Sequence, residues 1–246
     1  MNRLSDMTWP ELAAAIARGS TTVILPLGAT EQHGPHLPLG TDTLLAAALA
    51  ERLASRLPGA LIAPTLPVGC SDEHSGFPGL LSLDTATLAG VLTDCARRMR
   101  AWGVQRLVVL SAHGGNGDAL ALAAEWIGRE LPGLRLSIPG QLYAASAVRE
   151  IARREGIPLT ALGLHAGEGE TSQLLHVCPD LVRLDRAEPG FVGDMEQIVP
   201  ALRAVGLQPV TPNGVLGDPS RAQADRGARY LDALADRLAT ELRVEF

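Results

Sequence analysis

Short apolar runs alternate along this chain with longer amphipathic segments, and that alternation restricts the fold more than any other feature. Val23 to Leu27 is rich in branched residues, and Arg106 to Ser111 contains Leu-Val-Val-Leu; both read as buried strands. Leu61 to Pro64 and Leu134 to Ile138 are shorter candidates. Helices are predicted over Thr8–Arg18, Thr43–Leu57, Asp84–Trp102, Gly117–Glu130, Tyr143–Glu155, Glu170–Val177 and Ser220–Val244. The first has a Thr8/Glu11 capping signal and stops at Gly19, and Asp84 is placed to cap the third. Residues 183–197 read as irregular and charged. Strands separated by helices at this spacing predict an α/β fold with a mostly parallel sheet covered on both faces. The length of 246 residues suits one domain spanning 1–246, and no linker or repeat interrupts it.

Polar residues gather directly after the apolar runs. Glu31, His33, His36 and Asp42 follow the first strand in a loop stiffened by Pro35 and Pro38. Two residues apart in an extended loop, Glu31 and His33 point the same way. His113 and Asn116 follow Leu107–Leu110; His165, Glu168 and Glu170 follow a third apolar, strand-like stretch ending at Leu164. In a parallel sheet such loops share one edge, so residues distant in sequence become neighbours. A further loop, Pro67–Gly79, is dense in turn formers and holds Cys70, Glu73 and His74; its length marks it as functional. Five of the six histidines fall in these loops, while His176 reads as structural. Imidazole with carboxylate and no thiolate in the main clusters suits zinc, manganese or iron(II). Two histidines and three acids suffice for a two-metal site with a bridging carboxylate, and a further histidine would serve as acid or base.

Composition removes several other chemistries. All 21 basic residues are arginine, so neither a Schiff base nor a P-loop lysine is available. The net charge of −6 argues against a nucleic-acid surface. No apolar stretch is long enough for a membrane span, no signal peptide is visible, and three scattered cysteines suit a reducing compartment, so the expected location is cytoplasmic. There is no Gly-x-Ser-x-Gly elbow. A Cys70 nucleophile with His74 as its base is the competing enzymatic reading.

The motifs Pro26-Leu-Gly-Ala-Thr-Glu-Gln-His-Gly-Pro-His-Leu-Pro-Leu-Gly-Thr-Asp42, Glu73-His-Ser-Gly-Phe-Pro-Gly79, His113-Gly-Gly-Asn116, His165-Ala-Gly-Glu-Gly-Glu-Thr-Ser172 and Gly214-Val-Leu-Gly-Asp-Pro219 resemble, in order and spacing, the creatininase family of metal-dependent amidohydrolases. The resemblance implies a three-layer α/β/α sandwich and a homo-oligomer, typically a hexamer. It implies that Glu31, Asp42 and His113 ligate one divalent ion, most readily Zn2+, with Mn2+ or Fe2+ as alternatives. His33 and Asp42 would ligate a second, with Asp42 bridging, and His165 would be the catalytic proton carrier.

Two departures from the pattern matter. In creatininase the residue two after the strand-end histidine is a glutamate that ligates the second metal; here it is Gly115, and Glu170 is the best local replacement. Creatininase also stacks its flat substrate between tryptophans, whereas Leu159–Leu164 contains no aromatic and Leu164 replaces the glutamate before the catalytic histidine. The expected activity is therefore hydrolysis of another small amide, lactam or formamide by a metal-activated water. The alternatives are peptide trimming of the mycofactocin kind or a non-enzymatic descendant. For His36, loop structure and substrate contact remain open. Glu73 and His74 would line the pocket or cap it. Asn116 would hold the loop or cap the following helix, and Glu168 would support a ligand histidine or face solvent.

Overall fold

The computed structural model describes residues 2–139 and 146–244. In chain order the elements are α1 (Trp9–Ala17), β1 (Thr22–Leu27), α2 (Thr41–Arg56), β2 (Leu61–Ile62), α3 (Thr85–Ala101), β3 (Arg106–Ser111), α4 (Gly117–Glu130), β4 (Arg135–Ser137), α5 (Ser146–Arg154), α6 (Leu159–Leu162), α7 (Glu168–Val177), α8 (Met195–Val205) and α9 (Ala224–Val244). Among the described residues the sheet is parallel throughout, in the order β2-β1-β3-β4. β1 and β3 pair along their whole length, Thr22 opposite Arg106 and Leu27 opposite Ser111.

The two-residue period of the strands divides the core into two layers. Ile24, Val108 and Leu110 face Leu49 and Leu53 of α2 and Leu234 and Leu238 of α9. Val23, Leu25, Leu27, Leu107 and Val109 face Leu88 and Leu92 of α3 and Ile127 of α4. With helices on both faces, the fold is a three-layer α/β/α sandwich. No described helix is long and apolar enough to cross a membrane.

The helices start where their caps dictate. Asp84 accepts the Thr87 N–H at 2.9 Å and so satisfies an otherwise orphaned donor at the start of α3. At α1, the Glu11 carboxylate accepts the Thr8 N–H at 2.7 Å. α9 packs against α7 so closely that a Cβ on Gly227 would lie 1.9 Å from the Ser172 carbonyl. That approach holds α9 against α7, whose first turn carries part of the site.

Several expectations need correction. The strands predicted at Leu61–Pro64 and Leu134–Ile138 shorten to β2 and β4. The helix predicted over Tyr143–Glu155 is seen as Ser146–Arg154, its first three residues lying outside the described ones. The closing helix begins at Ala224, because Pro219–Arg221 forms a separate 3-10 turn. The segment before His165 is not strand-like: Pro158 starts the short α6 and Gly163, at φ 77, ends it. The stretch read as irregular over 183–197 includes a 3-10 turn at Leu184–Arg186 and the start of α8. Pro200 sits inside α8, where a proline normally argues against helix.

Candidate metal centre

Four segments converge beyond the carboxyl ends of β1 and β3. The loop after β1 supplies Glu31, Gln32 and His33, and Asp42 lies in the first turn of α2. A 3-10 turn, Asp72–His74, brings Glu73 and His74, and His113 follows β3. His165 and Glu170 come from the approach to α7 and its first turn, where His165 is held by an isolated antiparallel bridge to Leu216.

Asp42 stands between two imidazoles. Its Oδ1 lies 3.1 Å from His33 Nε2 and its Oδ2 3.3 Å from His113 Nδ1. Donor atoms of Glu31, Asp42 and His113 come within 4.8 Å of one another, as do those of His33, Asp42 and Glu170 and those of Glu31, His33 and His165. Both Glu31 oxygens are fully buried without a hydrogen bond. Their near neighbours are imidazole nitrogens: His74 Nε2 at 3.0 Å, His113 Nε2 at 3.3 Å and His165 Nδ1 at 3.7 Å. A buried carboxylate carries a cost of several kcal/mol unless donors or a positive charge face it. Such a donor set fits divalent ions.

The protonation pattern follows from this crowding. Burial pushes Glu31 up to about 8, against the pull of His113. Burial alone would depress His33, yet Asp42, Glu170 and Glu31 hold it at about 9. Asp42 is likewise buried, but His33 and His113 keep it well below the usual carboxylate range. Although burial opposes it, Glu31, Asp42 and Glu73 hold His113 well above its ordinary value, so without an ion the cluster keeps protons on Glu31, His33 and His113 near neutral pH. A bound ion must displace them, so binding should release protons and apparent affinity should rise with pH from neutral into the alkaline range. Each proton displaced is worth about tenfold in affinity per pH unit below its pKa. Zinc titrations by calorimetry in buffers of different ionisation enthalpy would measure the release; binding without it would contradict this protonation pattern.

Two histidines remain neutral. Burial, with His33 and His74 nearby, pushes His165 well below its ordinary value. Burial and His113 lower His74 to about 3. His165 Nε2 donates to the Gln32 carbonyl at 2.7 Å, which leaves its Nδ1 lone pair facing the cluster. The Gln32 side-chain amide donates to the Gly214 carbonyl and to His74 Nδ1, both at 3.1 Å. His33 Nδ1 donates to the Glu31 carbonyl at 3.2 Å, so Nε2 is its free ligand atom. Ala166, beside His165, has φ 50, a rare conformation for a residue other than glycine, and its N–H donates to Glu170 Oε2 at 2.5 Å.

The remaining candidates separate. Glu73 Oε1 lies 3.4 Å from His113 Nε2, its side chain 29% exposed. His74 lies inside the cluster. His36 does not: it is buried with its Nε2 2.9 Å from Thr171 Oγ1, and it ties the first loop to α7. Asn116 holds loops together. Its Nδ2 donates to the Gly28 carbonyl at 3.2 Å and to Ser111 Oγ at 3.1 Å, its Oδ1 accepts the Cys70 N–H at 2.9 Å, and its side chain makes no cap bond to α4. Glu168 neither supports a ligand histidine nor faces solvent. It is fully buried and accepts from Arg226 at 2.7 Å, Tyr230 at 2.9 Å and Ser172 at 2.6 Å. Gln32, Arg226 and Tyr230 were not foreseen. Gln32 sits inside the first motif, but alternation assigns it to the opposite side of an extended loop; nothing in the sequence of α9 marks Arg226 or Tyr230.

A parallel α/β sandwich with histidines and carboxylates buried at the carboxyl edge of its sheet defines the metallohydrolase class of architecture. Residues 5–242 match the creatininase family, described as creatinine amidohydrolase. The chain belongs to this family. It is 35% identical over 237 residues to the mycofactocin precursor peptide peptidase of Mycobacterium ulcerans (strain Agy99), covering 93% of this chain and 83% of that one. To the creatinine amidohydrolase of Pseudomonas putida it is 34% identical over 256 residues, covering 99% and 96%. The solved structure of a creatininase point variant of Zn-Zn type superimposes with a TM-score of 0.80 at 30% identity, covering 99% of this chain and 98% of that one.

Proposed function

We propose that this protein is a single-domain, metal-dependent hydrolase that cleaves a non-standard amide C–N bond in a small lactam, cyclic amide or formamide. One observation carries the reading: the two oxygens of Asp42 face two different imidazoles, each belonging to its own group of three ligands. Two divalent ions would be held by Glu31, Asp42 and His113 on one side and by His33, Asp42 and Glu170 on the other, with Asp42 common to both. Zinc is the favoured ion, in keeping with the Zn-Zn relative. Bound ions would lower the pKa of a water and polarise the amide carbonyl.

The protein's own groups do the rest. Neutral His165, its Nε2 engaged by the Gln32 carbonyl, accepts a proton at Nδ1 from the attacking water and delivers it to the leaving nitrogen. Gln32 holds His74 in the tautomer that presents Nε2–H toward Glu31. The lack of an aromatic over Leu159–Leu164 argues against a flat, stacked substrate. Its three free thiols, Cys70, Cys95 and Cys178, suit the cytoplasm. A homo-oligomer, hexameric by family resemblance, is the expected assembly.

A second reading, trimming of a short peptide, is favoured by the 35% identity to the mycofactocin peptidase. A screen of zinc-reconstituted protein against lactams, formamides and short peptides decides between them. His165→Ala should retain its ions and lose at least about a hundredfold in kcat on whichever substrate is turned over. An unchanged kcat would remove His165 from the reaction.

A further inference from the structure

The turn that carries His165 into the site adopts a conformation its own residues do not favour. Ala166 has φ 50, and among the described residues it alone has a positive φ without being glycine. In the left-handed region a Cβ crowds the following carbonyl oxygen, a cost that glycine does not bear. Glycine stands close by, at 163, 167 and 169, yet position 166 keeps a side chain. Gly163 and Gly167 answer a different need, the close approach of backbone to backbone. A Cβ on Gly163 would lie 2.1 Å from the Leu216 carbonyl oxygen, and one on Gly167 2.6 Å from that of Leu162.

The methyl group of Ala166 is fully buried, in a cluster with Leu37 of the first loop, Ala112 beside His113, Leu174 of α7 and Val215. The backbone around it is held as well. The Leu216 N–H donates to the His165 carbonyl at 2.8 Å, and the Ala166 N–H donates to Glu170 Oε2. Glycine would keep both of those bonds, so the methyl group is what alanine adds. The turn in its place fixes the His165 ring, with Nε2 on the Gln32 carbonyl and Nδ1 3.7 Å from Glu31 Oε1. Residues in sparsely populated conformations persist where their surroundings over-determine them, and they gather at active sites.

We propose that Ala166 is a positioning residue for the proton carrier: its buried methyl group pins the turn in the left-handed conformation that aims His165 Nδ1 into the centre. The proposal rests on the role given to His165 above. Glycine at 166 would relieve the strain and open other conformations to the turn, so the ring would spend less time aligned. Small misplacements of a reacting group are costly in rate.

The test compares two variants of the zinc-reconstituted protein. Ala166→Gly removes the methyl group; Ala166→Ser keeps the Cβ but sets a hydroxyl among apolar groups. Ala166→Gly should hold as much zinc as wild type and keep a similar Tm, since relief of strain offsets the lost methyl. Its kcat should fall by at least about tenfold with KM little changed. Ala166→Ser should be the less stable of the two, because its hydroxyl is buried, yet retain most of the wild-type kcat. Rate and stability then fall in opposite order, which a merely structural residue would not produce. In a His165→Ala background, Ala166→Gly should lower kcat no further. A crystal structure of Ala166→Gly should show the His165 ring displaced or in two positions. A wild-type kcat in Ala166→Gly, or losses of kcat that follow Tm across the two variants, would overturn the role of Ala166 and leave that of His165 standing. An unchanged kcat in His165→Ala would overturn both.

Discussion

Asp42→Ala should empty both halves of the centre at once. Asp42 is the residue common to the two proposed ion sites, and it reaches both His33 and His113 through separate oxygens. Removing it also deprives those two imidazoles of the charge that holds them in place. Metal content should fall from about two ions per protomer to well below one. Hydrolysis should fall by about a thousandfold or more, since the stabilisation that bound ions give to developing charge is worth several kcal/mol. Elemental analysis beside kinetics reads both effects. Asp42→Asn, which keeps shape and one oxygen, should retain the fold and still lose the ions. If Asp42→Ala kept two ions, the shared-carboxylate arrangement would be wrong.

The second large effect is on stability, and its origin lies on the far side of α7. Arg226 is only 5% exposed and donates to Glu168, to Glu155 at 2.8 Å and to the Arg221 carbonyl at 2.8 Å. Arg226→Met would leave the fully buried Glu168 carboxyl with only the Tyr230 and Ser172 hydroxyls as partners. Breaking a buried pair in this way costs about 3–5 kcal/mol. For a chain of this size that corresponds to a fall in Tm of roughly 10 °C. The double variant Arg226→Met/Glu168→Gln, which removes the stranded carboxyl, should recover much of the loss. Urea unfolding of both would show it. A loss below about 1 kcal/mol in the single variant would mean that water reaches Glu168. Because Glu170 lies two residues on, Arg226→Met should also weaken the ion shared by His33, Asp42 and Glu170.

The sheet was readable because Val23–Leu27 and Leu107–Leu110 are short, branched and bounded by turn formers, which is what a doubly covered parallel strand demands. Glu31, His33 and His113 were readable for the same reason: each closely follows such a run, whereas Asp42 enters from the first turn of α2. His165 stands in the site by a different route, through a two-residue bridge that leaves no periodic trace. Glu168 was misplaced because its neighbours decide its role. The helical pattern of α9 says that one face is buried, not that an arginine on it points at a carboxylate 58 residues earlier. Helix α8 escaped because Pro200 breaks a local rule, and propensity yields to tertiary context there. At Gly115 an absent side chain read as a lost ligand, and a Cβ there would lie 2.4 Å from Glu73 Oε1, from His113 Nε2 and from the Cys70 carbonyl.

The four converging segments have a consequence for how the chain holds together. Residues 31 to 42, 72 to 74, 113 and 165 to 170 meet at one point, where buried histidines and carboxylates face one another. Ions there would act as removable crosslinks that close loops of the chain from near its start to beyond its middle. Loop closure is where a crosslink gains most against the unfolded state. The centre would then be a fastener as well as a reagent: it cannot assemble before residue 170 is in place, and it gives the folded chain a stability that rises with free metal concentration. The same acids that make the empty centre uncomfortable would make the loaded protein hard to unfold.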